Sequence, residues 1–382
     1  MKKLTRFVGL DVHAATIAVA VAESGRDGEV RSIGTIPNRP QSVRKLVKKL
    51  WADCEDLRVC YEAGPCGYAL YWELTKLGIE CDVVAPTLIP VKVGDRVKTD
   101  RRDAEKLARS FRSGDLTAVW VPDAEHEALR DLVRAREAAK KDQLRARHRL
   151  GKFLLRRGLQ PPGGIRGWGT KYMQWVRALK FEHAAQEATF MDYVNEADHA
   201  VERVARLEAA IACAIESAPD HLRALVAGLQ ALRGVAAITA VTIAAEVGQF
   251  SRFKHPRQLM GYSGAVPSEY SSGARTVRRG ITHAGNSHLR RVVVEAAWSY
   301  RHRPIASYLL RLRQRQTSAA VQEIATKALH RLHKRYVRME AKGKPKPKVV
   351  TAVARELLGF IWAIGVQVER EHEQRASQKA AA

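Results

Sequence analysis

Over its first 114 residues the chain alternates short apolar runs with helix-spaced ones, and this restricts the fold more than any other feature. The stretch TRFVGLDVHAATIAVAVAES, beginning at Thr5, reads as a strand, a tight polar corner and a second strand; ESGRDGEV then supplies a turn. DLRVCYEAG is a short apolar strand ending in an acid and a glycine. LYWELTKLG has helical spacing and a glycine stop, and IECDVVAP is another strand, ended by Pro86. DRRDAEKLARSFRSG is a helix closed by Gly114. Strands alternating with helices imply an α/β layer fold.

The remainder is helical in pattern, so the chain reads as α/β plus all-α. DAEHEALRDLVRAREAAKKDQLRARHRLGKFLLRRG carries Leu and Val at helix spacing, QPPGGIRGWG breaks it, and a second long helix is expected from about Tyr172 to Ser217. Val201, Val204, Leu207 and Ile211 form an apolar stripe there. A long polar helix pair with a thin seam fits a self-associating coiled coil or two helices packed within one chain. LRGVAAITAVTIAAEVGQF has a glycine turn between apolar helical stretches, compatible with a helix-hairpin-helix. The Gly-, Ser- and Arg-rich segment after it reads as a loop-dominated site region. VVVEAAWSY, SAAVQEIATKALHRLHKRYVRME and VVTAVARELLGFIWAIGV are further helices, AKGKPKPK is a basic linker, and EHEQRASQKAAA is expected to fray. Three domains are expected: 1–122, 123–229 and 230–382.

Charge is unevenly distributed over these pieces. Residues 1–122 hold 20 basic and 16 acidic side chains, residues 123–229 hold 18 and 15, and residues 230–382 hold 27 and 9. A C-terminal portion at +18, of +25 overall, suits a polyanion such as nucleic acid. No apolar run reaches the roughly 18 residues of a membrane span, and a signal-peptide core is lacking. Cys54, Cys60, Cys66, Cys81 and Cys213 include no close CxxC pair and read as reduced, mostly buried thiols of a cytosolic protein. His13 and His255 read as structural or nucleic-acid-facing rather than as metal ligands.

Asp11 lies between Leu10 and Val12 in the first strand, where an unpartnered carboxylate is costly. Glu62 ends the DLRVCYEAG strand, where a parallel strand delivers a side chain to the open edge of a sheet. Asp100 and Asp103 are three apart, on one face of a helix. Two readings follow. One is a salt-bridged helix start, with Arg101 and Arg102 as partners of the aspartates. The other is a set of four converging carboxylates, hard ligands for Mg²⁺ or Mn²⁺. Two such ions about 3.5–4 Å apart can clamp the attacking and leaving oxygens of a phosphodiester.

Asp11, Glu62, Asp100 and Asp103, in GLDVH, CYEAG and KTDRRDA, resemble the DEDD set of the insertion-sequence-110 family of transposases. The N-terminal domain of that family is a RuvC-like relative of ribonuclease H. FSRFKHPRQLMGYSGAVPSEYSSGARTVRRGITHAGNSHLRRVVVEAAWSYRH resembles its second domain, so the resemblance spans nearly the whole chain. RGVAAIT departs from the pattern, which would have a second glycine near Ala236.

The resemblance implies a serine nucleophile in a pattern like Tyr-x-Ser-Gly. In YSSG the match falls on Ser272, with Ser271 adjacent and Tyr270 an alternative of the tyrosine-recombinase type. A serine hydroxyl needs a base or a metal to become a good nucleophile. Arg275, Arg278 and Arg279, with Arg290 and Arg291 beyond them, would hold nucleic-acid phosphates. The resemblance further implies Mg²⁺-assisted recombination of target and donor DNA, guided by a structured bridge RNA. It implies a tetramer whose active sites combine the carboxylates of one protomer with the serine of another. The expectation is a transposase acting in the cytoplasm of a bacterium or archaeon, at the nucleoid, with no membrane partner and at least a dimer. The alternatives are a RuvC-like nuclease that cuts with water, a DNA invertase, or a non-catalytic nucleic-acid-binding protein.

Overall fold

The structure, a computed structural model, describes residues 5–381 except 26, 53, 91–93, 95–97, 166 and 274; the side chains of residues 278, 380 and 381 also lie outside the description. The chain forms two compact units, Met1–Val121 and Pro122–Ala382.

The first unit is a five-stranded mixed sheet with helices on both faces. Its elements are β1 (Thr5–Val12), β2 (Thr16–Glu23), β3 (Val30–Pro37), α1 (Pro40–Trp51), β4 (Asp56–Glu62), α2 (Ala69–Lys76), β5 (Glu80–Val84) and α3 (Asp100–Arg112). The strand order is β3-β2-β1-β4-β5, antiparallel from β1 to β3 and parallel across β1, β4 and β5. This layout is compatible with a ribonuclease H-like domain. Strand β3 and helix α1 were not legible in the polar sequence that follows β2.

Side-chain size decides which helix covers which face. Val8 and Leu10 of β1 and Ile17, Val19 and Val21 of β2 pack with Val43, Leu46, Val47 and Leu50 of α1 and with Leu70 and Leu74 of α2. On the opposite face the register aligns Phe7, Gly9 and Asp11 of β1 with Ala22, Ala20 and Ala18 of β2. These small side chains leave room for α3, whose Ala104 and Ala108 join the alanines of β2 in a separate cluster.

The second unit is helical apart from one hairpin. Its elements are α4 (Ala124–Leu155), α5 (Thr170–Ala178), α6 (Ala184–Glu216), α7 (Asp220–Leu229), α8 (Ala237–Val247), α9 (Pro256–Tyr262), β6 (Pro267–Ser272), β7 (Arg275–Ile281), α10 (Ser287–Ala297), α11 (Tyr308–Arg315), α12 (Ala319–Ala341) and α13 (Lys346–Ala381). Helices α4 and α6 pair within the chain. Arg149 bonds Glu196, Arg203 reaches Asp142 at 2.9 Å and Arg136 reaches Glu208 at 3.0 Å, so rising numbers meet falling ones and the pair is antiparallel. Of the expected stripe on α6, Val204 and Ile211 are buried in this packing, while Val201 stays exposed.

Four expectations are corrected here. The helix expected from Tyr172 to Ser217 is two helices. Phe181 inserts at the break and stacks beside Phe153 and Phe190, while Glu187 accepts its amide N–H at 3.0 Å. The tail expected to fray is helical to Ala381. The loop-dominated segment contains the β6–β7 hairpin. Finally, α13 is long and apolar enough to cross a membrane by length and composition, but more than half of that stretch is buried. Val349, Val353, Leu357, Ile361 and Ile364 are at most 1 % exposed, in the core shared with α7, α8, α10 and α12. The periodicity marks a core helix. Ala236 has φ −93°, open to any residue, so the turn before α8 does not require a second glycine there.

Candidate functional sites

The first site lies where α3 begins over the end of β1. Asp11 shares a strand face with Gly9, and α3 packs on that face. A Cβ added at Gly9 would fall on the Ala104 carbonyl oxygen and the Ala108 amide nitrogen, and 2.9 Å from the Leu107 Cβ. Only glycine allows the helix this close to the strand. Thr99 caps α3, its hydroxyl accepting from the Arg102 amide at 3.3 Å, so Asp100 and Asp103 occupy the first turn, where the helix dipole favours anions. Gly9→Val is expected to lower the unfolding free energy in urea by about 3 kcal/mol, the upper end of the usual overpacking cost. An unchanged midpoint would show that the approach of α3 to β1 is not tight.

Asp11, His13 and Asp100 form a cluster whose ligand atoms all lie within 4.8 Å of one another. His13 stands between the acids, its Nε2 at 3.3 Å from Asp11 Oδ2 and 3.6 Å from Asp100 Oδ1. Burial pushes the Asp11 carboxyl above its ordinary pKa; His13 opposes this, and the charges of Asp100 and Asp103 add to the rise. Asp103 is 3.9 Å from Lys98, and Arg101 pairs with Glu105 at 2.9 Å rather than with either aspartate. Carboxylates crowded against one another, with a half-buried member held above its usual pKa, fit a divalent cation better than a salt-bridged helix start. Glu62 and Asp103 fall outside the 4.8 Å set. Glu62 nevertheless follows Tyr61, which pairs with Leu10, so Glu62 and Asp11 end neighbouring parallel strands side by side.

The second site is the β6–β7 hairpin. Its tip pairs Ser272 with Arg275, and Gly273 sits at φ 55°, where glycine is least strained. Paired and alternate residues share a face, so Ser272, Tyr270, Arg275 and Val277 lie on one side and Ser271 and Thr276 on the other, and the register shifts beyond Arg278. The Ser271 hydroxyl donates to Glu269 Oε1 at 2.8 Å. Tyr270, Ser272, Arg275 and Arg279 are all exposed; the Arg278 side chain lies outside the described residues. Arg290 and Arg291 are engaged within the protein. Arg290 donates to the Ser263 carbonyl at 2.7 Å, and Arg291 bridges Glu137 at 3.1 Å and Glu295 at 3.0 Å.

Both ends of the hairpin segment are pinned to a buried acid. Glu246 of α8 is 0 % exposed. It accepts from Arg134 at 2.8 and 2.9 Å and from the Asn286 side-chain amide at 2.7 Å, and its backbone carbonyl accepts from the Tyr262 hydroxyl at 2.9 Å. Burial would raise its pKa, but the bonds from Arg134 and Asn286 and the charges of Arg134 and Arg130 hold it below the usual carboxylate range. Asn286 also caps α10, accepting from the Leu289 amide at 2.9 Å, and its own amide N–H donates to the Tyr262 carbonyl at 2.8 Å. The segment thus leaves and returns at one fixed point. Glu246→Ala removes the buried acceptor shared by the exposed Arg134 and the Asn286 amide, and is expected to cost about 3 kcal/mol of stability in urea unfolding. A loss under 1 kcal/mol would show that the network is not holding the unit together.

His13, read in the sequence as structural or nucleic-acid-facing rather than as a metal ligand, lies within the cluster that could hold an ion, and Glu246 went unassigned. The signal that exposed Asp11, an acid inside an apolar run, is equally present for Glu246 in VTIAAEVGQF. His255 caps α9, its Nδ1 accepting from the Arg257 amide at 3.2 Å.

The family described as "Transposase IS116/IS110/IS902 family" matches residues 227–309, and a DEDD transposase family of the same group, described as "Transposase", matches residues 8–157. The chain is 48 % identical over 372 residues to "Putative transposase y4qE" of Sinorhizobium fredii, covering 97 % of this chain and 90 % of the relative. It is 33 % identical over 340 residues to the "Transposase for insertion sequence element IS1533" of Leptospira borgpetersenii, covering 88 % of this chain and 97 % of the relative.

Proposed function

The chain belongs to the IS116/IS110/IS902 family of insertion-sequence transposases, and from that premise we propose that it is an RNA-guided DNA recombinase working through a covalent serine–DNA link. The observation that carries the enzymatic reading is the Asp11, His13 and Asp100 cluster, with Asp103 on the same first turn of α3 as Asp100, at the C-terminal end of the central strand β1. A DEDD family implies a divalent metal. Asp11, Asp100 and Asp103, with Glu62 from the neighbouring strand end, would hold Mg²⁺ or Mn²⁺, and the His13 imidazole favours the latter. When bound, such an ion stabilises charge on the attacking and leaving oxygens of a phosphodiester.

The protein groups have separate tasks. Ser272 Oγ forms a bond to phosphorus as the P–O3′ bond breaks, leaving a free 3′-hydroxyl and a 5′-phosphoserine. Arg275, on the same side of the hairpin as Ser272, and the exposed Arg279 farther along β7 neutralise the phosphates next to the cut. The rejoining step reverses the first, with a 3′-hydroxyl from another strand. The carboxylates of one copy serve the serine of a second copy in a tetramer. The RuvC-like ribonuclease H fold is the proposed identity of the first unit, on the strand order and the position of Asp11. The +18 charge of residues 230–382 supports a large polyanionic partner, here the guide RNA together with DNA.

The test is incubation of the protein and its RNA with end-labelled donor and target DNA in Mg²⁺ and in EDTA. Metal-dependent joining with a protein–DNA adduct is the expected result. Cleavage without an adduct would replace the proposal with a hydrolytic nuclease.

A further inference from the structure

The outer face of α12 bears two kinds of cation. Lys327 is paired with Glu323 at 2.6 Å, and Arg331 and Arg335 are both held by Glu356 of α13, at 3.2 and 2.7 Å. These charges are answered inside the chain. Beside them His330, Lys334, Arg338 and Lys342 are exposed, and among the described residues no Asp or Glu pairs with any of the four. Lys334, Arg338 and Lys342 are each four positions from the next, so this row of permanent cations climbs about 12 Å along the helix at 1.5 Å per residue. The stretch from Lys327 to Lys348 holds nine Lys and Arg against one acid, Glu340.

Like charges four apart on a helix destabilise it. A row of them without an internal partner therefore calls for a counter-charge from outside. An acidic protein surface would present scattered carboxylates. A duplex presents one charge per about 1.7 Å of its axis, and about three to four phosphates of one strand over 12 Å. The neighbouring aromatics are turned inward: Tyr336 is buried and Phe360 half-buried. Tyr336, the one Phe, Tyr or Trp of α12, is buried, so the helix presents no large ring for an unstacked base, as a single-strand site would.

We propose that Lys334, Arg338 and Lys342 form a docking row for the phosphate backbone of duplex DNA, holding the substrate without reading its sequence. Such contacts fix register and orientation and carry no sequence information of their own. The proposal rests on the reading that this chain acts on DNA, and it adds where the duplex lies.

The test uses the full chain with Lys334→Ala, Arg338→Ala and Lys342→Ala combined, and a fluorescent duplex of arbitrary sequence. Affinity is measured by anisotropy across a salt series, beside wild type. Each phosphate contact contributes about 0.9 to the slope of log K against log salt, so the slope should be shallower by about 2.7. The paired change Lys334→Arg with Lys342→Arg should keep the wild-type slope. An unchanged slope in the triple variant overturns the docking row, as does a slope lost equally in the Arg variant. A loss seen only with duplex RNA overturns the assignment to DNA. Wild-type protein that binds no nucleic acid overturns both the row and the recombinase reading.

Discussion

Asp11→Ala and Asp103→Ala are each expected to reduce DNA strand cleavage to background while changing DNA affinity by no more than a few-fold. The two effects separate because they rest on different groups. Cleavage depends on oxygen ligands that place a divalent ion, and removing one displaces the charge that the transition state needs. Binding depends on Lys and Arg, which neither substitution touches. Losing the Asp11 carboxylate should not weaken the fold. Asp11 is only partly buried, yet burial and its acidic neighbours raise its pKa above the unfolded value. A carboxyl with a raised folded pKa favours the folded state when protonated, and that contribution is lost as pH rises through its titration. Above that titration the ionised carboxylate costs stability, so Asp11→Asn should hold or raise the metal-free unfolding midpoint. Adding Mn²⁺ should raise the midpoint of wild type and leave that of the variant nearly still, since ion binding to the folded state stabilises it by mass action. Full cleavage by Asp11→Ala in Mg²⁺ would end the metal-centre reading. A large fall in its metal-free midpoint would instead make Asp11 a structural residue.

The carboxylates were legible in the sequence because each breaks a local rule. Asp11 interrupts an apolar strand, Glu62 closes one, and Asp100 and Asp103 stand in the first turn of a capped helix. What the sequence could not show is why they meet. That depends on Gly9, which is unremarkable among 26 glycines until α3 is seen lying against it. His13 was hidden for a related reason. A histidine two residues past Asp11 on a strand end has many possible neighbours, and only the seating of α3 brings Asp100 to its other side. The strands carrying Asp11 and Glu62 were readable from their branched apolar residues. Strand β3, VRSIGTIP, was not, because its exposed edge position needs few buried side chains. In the second unit, single-chain pairing of α4 and α6 and self-association share one apolar stripe, so periodicity alone could not choose between them. The cross-helix ion pairs that fix the antiparallel partner lie on polar positions, which look like ordinary solvated charge in a sequence.

Ser272→Ala is expected to abolish recombination while leaving folding and nucleic-acid binding intact. The substitution removes one oxygen from an exposed strand end, so stability should change by less than about 0.5 kcal/mol. Affinity should hold, because Arg275, Arg279 and the cations of α12 remain. Rejoining should be lost completely. A phosphoserine ester keeps the energy of the broken phosphodiester, so a free 3′-hydroxyl can reseal it; hydrolysis discards that energy and leaves only nicks. The carboxylate cluster is untouched, so slow water-driven nicking in Mg²⁺ can survive where joining does not. Register favours Ser272 over its neighbour. Ser272 shares a hairpin side with Arg275, whereas Ser271 lies on the opposite side with its hydroxyl tied to Glu269. The decisive measurement traps the adduct on a nicked suicide duplex, digests the protein, and finds by mass the peptide carrying the nucleotide. The expected peptide bears it on Ser272. A nucleotide on Ser271 would make Glu269 the partner of the attacking hydroxyl, and one on Tyr270 would place the protein with tyrosine recombinases. Undiminished joining by Ser272→Ala would remove serine catalysis at this position.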